Sequence, residues 1–532
     1  MLNLSANTQH LKTSTHQRRG IPSPQPSPIG RGRNEAEGEG ILDRIRTQSW
    51  ILALLVVTVA LMLLASCTVG PDYVKPTAKA PAAYKELGGW KKAEPKDEAI
   101  KGAWWEIFKD PRLNSLEEQV NISNQNVAAA EAQYRQASAL VQSARSGYFP
   151  TVTAGGSFVR ARRSANVSGG TFAGADTTSD FLLPLHASWE ADIWGKVRRS
   201  VESARAGQEA SAADLEAVRL SVHAELAQDY FQLSALDTEK KLLEETVFAL
   251  QKSLELTKNR YVSGVASRAD VLQAETQLKS TQAQAVDIGV QRSQLEHAIA
   301  LLIGKPASVF SLPSVGLTTE LPAIPVGLPS ELLERRPDIA SAERRVASAN
   351  ALIGVAEAAF YPSLTLSGSA GFEASSLSKW LSWPSRFWSV GAAVAETVFE
   401  GGLRRSLTDQ ARAVYDANVA SYRQTVLTGF QEVEDNLAAL RILEEEAGIQ
   451  DEAVKAAQQS LTVTTNQYRA GTVSYLDVIV AQTIALTNER TAIGIRGRRM
   501  TAGVQLIKAL GGGWDSSLLQ TNSTGGSNIG HK

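Results

Sequence analysis

The feature that most constrains this chain is a hairpin signature written twice, about 207 residues apart. The first copy reads Asn259-Arg260-Tyr261-Val262-Ser263-Gly264, then Ser267, Asp270 and Val271. The second reads Asn466-Gln467-Tyr468-Arg469-Ala470-Gly471, then Ser474, Asp477 and Val478. Ala274/Ala481 and Thr276/Thr483 extend the match, and other pairs keep nearly the same offset: Arg198-Arg199-Ser200 with Arg404-Arg405-Ser406, Gly304 with Gly511, Pro150 with Pro362. No proline interrupts Val197 to Val262 or Leu403 to Arg469. Each run is roughly 65 residues, hence ~100 Å long if helical throughout. Val419, Tyr422, Val426, Phe430, Val433, Leu437 and Leu440 step by three and four, as do Leu215, Val218, Val222, Leu226 and Leu233 in the first run. Helices that long must be paired along their length, and the segments returning after Gly264 and Gly471 are the expected partners.

Ahead of each long helix lie two runs that alternate with the period of a strand. Val152, Ala154, Gly156 and Phe158 alternate with hydroxyls and glycine; so do Leu364, Leu366, Gly368, Ala370 and Phe372. Leu183, Leu185, Ala187, Trp189 and Ala191 alternate with His186, Ser188 and Glu190, and Trp388, Val390, Ala392 and Val394 form the fourth run. Lengths of about 8 to 12 residues match tilted strands that cross a bilayer, which take about 9 to 11. Trp189, Trp380, Trp383, Phe387 and Trp388 are candidate interface aromatics. Four strands cannot enclose a lumen, and open edges are not viable in lipid. The chain must therefore share a barrel with copies of itself; three copies give twelve strands. The expected fold class is mainly α with membrane β: two tandem repeats of long helical hairpins, with four strands contributed to a trimeric barrel.

Net charge is −1 at pH 7, with one cysteine and six histidines. Nucleic acid, a disulfide framework and a metal cluster are not indicated, no cofactor is expected, and no phosphate loop, nucleophile elbow or HExxH helix is present. Without a convergent set of acids, bases or ligands, the chain is not expected to be an enzyme. The cysteine carries a different message. Trp50 to Ala65 is an apolar run behind Arg44 and Arg46, about 16 residues long and short of the ~20 that a spanning helix needs. It ends in Leu64-Ala65-Ser66-Cys67, which looks like a bacterial lipobox after a secretory signal. That likeness implies that Cys67 becomes a lipidated N terminus, with Thr68 after it giving no signal for inner-membrane retention. The expected organisation is 1–66, a Pro/Arg-rich upstream extension that looks like a start codon set too early, followed by the signal peptide; 67–110, a Pro/Ala/Lys linker; repeats at 111–327 and 328–511; and a disordered tail at 512–532.

Four further motifs give the chain a family. Cys67-Thr-Val-Gly-Pro-Asp-Tyr-Val-Lys-Pro76, Trp104-Trp105-x-x-Phe108-x-Asp110-Pro111-x-Leu113, Arg335-Arg336-Pro337-Asp338-Ile339, and Phe430-Gln431-Glu432-Val433-Glu434-Asp435-Asn436-Leu437 stand in order around the twin turns. Together they resemble the TolC-type outer-membrane factors, in their NodT branch of efflux lipoproteins. The resemblance implies a homotrimer with a twelve-stranded barrel in the outer membrane and a helical tunnel across the periplasm. It also implies a periplasmic adaptor and an inner-membrane RND-type transporter as partners, and outer-membrane lipid around the barrel. The function so implied is the passive outer-membrane duct of a tripartite efflux pump. The duct of a type I secretion system shares the fold and is the alternative.

The turns are the expected functional site. Gly264 and Gly471 permit the reversal, and Ser267 and Ser474 restart a helix with Asp270 and Asp477 three residues on, close to a capping box. By resemblance, Asp477 lines a periplasmic gate as a ring of carboxylates, with Tyr468 and Asp270 latching the two turns together. Val480 and Gln273 stand where the family often carries a second acid, and Val473 where it carries a basic latch residue, so a single ring and a looser latch are expected. The surfaces 263–268 and 470–475 are expected to meet adaptor hairpins.

Overall fold

Glycine and a carboxylate start each long helix. Gly195 and Gly402 are N-caps at φ +83° and +91°. The Asp192 carboxylate accepts from the Val197 and Arg198 amides, and Glu400 accepts from the Arg404 amide. From these starts the computed structural model runs two uninterrupted helices of 67 and 68 residues. The chain divides into two units, residues 1–66 and 67–532. The structure describes residues 68–78, 80–86, 102–162, 177–317, 321–324 and 332–514, all in the second unit. The signal segment, Cys67 and everything after Trp514 lie outside the described residues.

After a short 3-10 turn at Trp104–Phe108 come α1 (Pro111–Ser123) and α2 (Gln125–Ser146), then β1 (Thr151–Ala154), β2 (Ser157–Arg162) and β3 (Thr177–Ala191). The first hairpin is α3 (Lys196–Val262) and α4 (Arg268–Leu302). A helical turn at Leu332–Arg335 leads into α5 (Pro337–Ala358), β4 (Ser363–Ala374) and β5 (Arg386–Ala395). The second hairpin is α6 (Leu403–Ala470) and α7 (Tyr475–Ala509). Among the described residues no helix is long and apolar enough to cross a membrane.

The return helices, the expected partners, are about half as long as the helices they pair with. α4 and α7 have 35 residues each, so they cover only the turn-proximal half of α3 and α6. The far half finds other partners. α2 packs on α3 through Val127, Ala130 and Leu215, and Gln208 bonds Ser138 at 3.0 Å. α5 wedges between α3 and α6, with Ser341 donating to Asp214 at 2.6 Å and Arg412 reaching Glu357 at 2.9 Å. The sequence period marks which face of a long helix is buried, but not that its covering is changed halfway. Every apolar residue expected on the seam of α6 from Tyr422 to Leu440 is buried.

The sheet runs β1/β2–β3–β4–β5, all antiparallel, and has two free edges. β1 and β2 are one stave in a single register: Ala154 lies opposite Leu185 and Ser157 opposite Leu182. The interruption at Gly155–Gly156 has a cause in Pro184, which cannot donate to a ladder. Gly371 stands opposite Pro184 on the other side, where a Cβ would lie 2.1 Å from the Leu183 carbonyl oxygen. Directly paired residues share a face. Val152, Phe158, Leu183, Leu185, Trp189, Leu366, Trp388 and Val390 therefore form one apolar face, and Ser369 bonds Ser389 at 2.8 Å on the polar one. Phe387 pairs with Gly371 and so falls on the polar face, unlike Trp189 and Trp388.

Two segments expected to be loose are built in. Trp104, Trp105 and Phe108 are buried, and Tyr84 is 4% exposed. The tail continues in order to Trp514, whose indole packs on Ala213 and Ala340. In both cases aromatic area outweighs a polar composition.

Candidate functional site

The turn glycines adopt φ +76° at Gly264 and +78° at Gly471, and a Cβ at either would meet open space. Glycine is required there by conformation alone. Beyond each turn the helix restarts in a complete capping box. The Ser267 amide donates to Asp270 Oδ2 at 2.8 Å and the Asp270 amide to Ser267 Oγ at 3.1 Å. The Ser474 amide and hydroxyl reach Asp477 Oδ2 at 2.9 and 2.7 Å. Both carboxylates thus have a local employment. Asp270 is half-buried, and Asp477 is exposed at the end of the molecule.

The two turns are not equivalent. Tyr468 is 7% exposed, whereas its counterpart Tyr261 is 46% exposed, with Val262 and Val265 beside it more exposed still. Tyr468 packs with Leu250, Leu254, Ala274, Leu278, Tyr475 and Val478, a small core that knits one hairpin to the other. Its ring lies 5.3 Å from that of Tyr475, whose hydroxyl bonds Ser253 across the hairpins at 3.2 Å. Burial raises the Tyr475 pKa, with the Tyr468 and Asp270 groups adding to it. The Tyr468 hydroxyl has no hydrogen-bond partner among the described residues, and Asp270 is turned to Ser267, so the expected tyrosine–aspartate contact is not made inside one chain.

A residue that sequence reasoning passed over makes the cross-link. Arg260 lies over the Tyr468 ring, 4.8 Å from its centroid, and donates from Nη1 to the Arg469 carbonyl at 3.2 Å. The cation missing at Val473 is supplied from the other turn. The signal was legible: position 260 is arginine where the repeat has Gln467, inside an otherwise matched motif.

At the opposite end of α3 the segment that follows Cys67 is clamped. The Val69 amide bonds the Trp194 carbonyl at 3.1 Å, where β3 turns into α3. Arg199, 5% exposed, holds the carbonyls of Val69 and Gly70 and the Asp72 carboxylate. Gly70 lies so close to Gly354 that a Cβ would come within 2.4 Å of the Gly354 Cα. Tyr73 donates to Glu343, and farther on Glu434 accepts from the Lys85 and Glu86 amides. Two other motifs meet in a knot: Arg336 bonds Asp338, Glu432 and the Ala509 carbonyl. These motifs hold the fold rather than perform chemistry.

A buried titratable pair is also structural. Glu117 is 0% exposed and its carboxyl is raised by burial. His223 is lowered to about 4, by burial and then the Arg219 cation. They meet at 2.6 Å, and burial disfavours the charged form of both. Trp105 stacks on the His223 ring at 4.4 Å and seals it.

Comparison with known proteins fits this architecture. The family described as outer membrane efflux protein matches residues 116–305 and 328–512, one match per repeat. A probable efflux pump outer membrane protein of Pseudomonas putida, TtgC, is 32% identical over 481 residues, covering 88% of this chain and 97% of that protein. The pyoverdine export outer membrane protein OpmQ of Pseudomonas aeruginosa is 30% identical, covering 86% and 96%. Among solved structures, the outer-membrane channel OprN superposes with a TM-score of 0.79 at 32% identity, covering 84% of this chain and all of that one. The CmeC channel of Campylobacter jejuni gives 0.81 at 25% identity, covering 86% and 98%. With both repeats matched and relatives above 30% identity spanned almost end to end, the chain belongs to the outer membrane efflux protein family.

Proposed function

We propose that three copies of this chain close one barrel in the outer membrane and one helical tunnel beneath it, held to the membrane by lipid on Cys67 and gated at the twin turns. The protein is an outer-membrane channel component of a tripartite efflux pump. The observation that carries the trimer is the sheet itself: four staves, an apolar face of bilayer height and two unpaired edges, continuous with helices ~100 Å long. No copy is viable in lipid until its edges are paired.

The duct works without chemistry of its own, passing what an adaptor and an inner-membrane transporter deliver. Relatives named for toluene, antibiotic and pyoverdine export share about 30 to 32% identity with it, which fits a conduit indifferent to cargo. Their names also favour efflux over type I secretion. At the tip, Asp477 forms a ring of three exposed carboxylates, each pair repelling by roughly 1 kcal/mol at ~7 Å and an effective dielectric of about 40. Asp270 and Tyr468 pack the turns from within. Tyr261, Val262 and Val265 offer the adaptor an apolar contact that the second turn lacks.

Reconstitution of the purified mature protein in a planar bilayer tests this. A cation-preferring channel with a mass of three chains is expected. A water-soluble monomer indifferent to detergent would overturn the reading.

A further inference from the structure

Charged residues on the sheet are sorted by sign. The described strands carry three acids, Asp180, Glu190 and Glu373, and three arginines, Arg160, Arg162 and Arg386. Register places them. Asp180 pairs with Val159, Glu190 with Thr365 and Glu373 with Leu182, all on the polar face. Arg160 and Arg162 follow Phe158 at even spacing, and Arg386 pairs with Phe372, so all three arginines lie on the apolar face. All three also lie at one end. Arg162 closes β2 and Arg386 opens β5, at the end of the sheet away from the helices. They are exposed, and aromatic rings sit beside them: Phe158 against Phe181 at 4.5 Å, Phe181 against Trp380 at 5.8 Å, and Trp383 against the Arg386 guanidinium at 3.5 Å.

An arginine on the lipid face is costly at mid-membrane and nearly free at the interface, and aromatic rings mark that interface. Solubility alone would not sort the signs between faces. Guanidinium binds phosphate in a planar, two-point contact that an ammonium does not reproduce. We propose that Arg160, Arg162 and Arg386 form a collar on the lipid-facing outer rim that binds the phosphates of outer-leaflet glycolipid. This rests on the outer-membrane barrel reading. Closing the barrel through its free edges brings β5 of one copy beside β1/β2 of the next, so the collar is continuous around the trimer.

The test uses full-length mature protein in detergent, with bound lipid read by native mass spectrometry. Wild type should bind diphosphoryl lipid A at least about tenfold more tightly than dephosphorylated lipid A, and more tightly than phosphatidylglycerol. R160Q/R162Q/R386Q should lose that preference, R160K/R162K/R386K should keep only part of it, and D180N/E373Q on the other face should keep all of it. Equal binding of phosphorylated and dephosphorylated lipid A by wild type overturns the proposal, even where a variant fails to assemble. So does equal affinity for phosphatidylglycerol, which would make the rim a general anionic surface, and so does an unchanged preference in the glutamine variant. A protein that forms no trimeric channel overturns the functional reading instead.

Discussion

Replacing Arg260 by alanine should loosen the hairpin tips more than removing the Tyr468 hydroxyl. The arginine makes two contacts between hairpins, a hydrogen bond of 3.2 Å to the Arg469 carbonyl and a ring contact of 4.8 Å with Tyr468. A hydrogen bond from a half-exposed charged donor contributes about 1 kcal/mol, and a cation over a ring near solvent about 0.5 to 1. Losing both costs about 1.5 to 2 kcal/mol per chain, which shifts an equilibrium between joined and parted tips roughly 10- to 30-fold. If three copies part together, the shift is roughly cubed, since the energies add at well-separated sites. Single-channel recording reads this directly: Arg260→Ala should raise open probability, and Arg260→Lys should recover part of the closure. The family resemblance points to Tyr468→Phe as the opening change, but the Tyr468 hydroxyl has no hydrogen-bond partner among the described residues, so that substitution should alter current little. A silent Arg260→Ala beside a leaky Tyr468→Phe would refute the reasoning.

Other substitutions follow from geometry. Asp477→Ala should weaken block by divalent cations and cost about 1 kcal/mol of helix capping; unaltered block in bilayer recordings would leave the aspartate only its cap. Gly511→Ala places a Cβ 2.1 Å from the Arg335 carbonyl oxygen at φ +93°, and Gly304→Ala one 2.2 Å from that of Ser123 at φ +68°. Both should lower the melting temperature of the assembled protein sharply, whereas Gly264→Ala, with open space around it, should cost only about 1 kcal/mol. His223 is depressed to about 4 from 6.5, so the folded chain takes its proton less readily than the unfolded chain. The share of stability contributed by the neutral ring is fully present above about 6.5 and is lost as pH falls toward 4, while the raised Glu117 carboxyl acts in the opposite sense and offsets it. His223→Gln should remove the histidine share and leave that of Glu117, so that melts of the variant lose less stability than wild type as pH falls from 6.5 toward 4; an identical pH dependence would count against the neutral ring. Arg199→Ala leaves the Val69 and Gly70 carbonyls without their donor, at a cost of about 1 to 3 kcal/mol. Limited proteolysis should then clip the N-terminal segment first.

The repeat and the two periodicities were legible because both are enforced by geometry along the whole element. Tyr422, Val426, Phe430, Val433 and Leu437 step with the helix because one face must meet a neighbour. Leu183 to Ala191 alternate because one face must meet lipid or core. The capping boxes at Ser267 and Ser474 were legible because their bonds are local. Contacts set by the fold were not. That α5 takes over from α4 and α7, that Trp514 docks on Ala213, and that Arg260 crosses to Tyr468 all depend on residues far apart in sequence. Local composition therefore pointed the wrong way near both ends of the described residues: 68–78 and 80–86 look like linker and 512–514 like tail, yet lie in order on the body of the protein. The aspartates show the converse, since a cap and a pore lining need the same residue at the same place.

The clamp on the N terminus has a mechanical corollary. Val69 is bonded to the corner between β3 and α3, and the two residues of chain back to position 67 reach at most ~7 Å. Acyl chains on the residue just before Thr68 would therefore share the height of that corner instead of trailing from a slack leash. The conduit could not ride up or sink in the bilayer without dragging its own grease through headgroups. Its draught in the membrane would be fixed by a rivet at the waterline, leaving the lower tunnel free to flex without the barrel shifting above it.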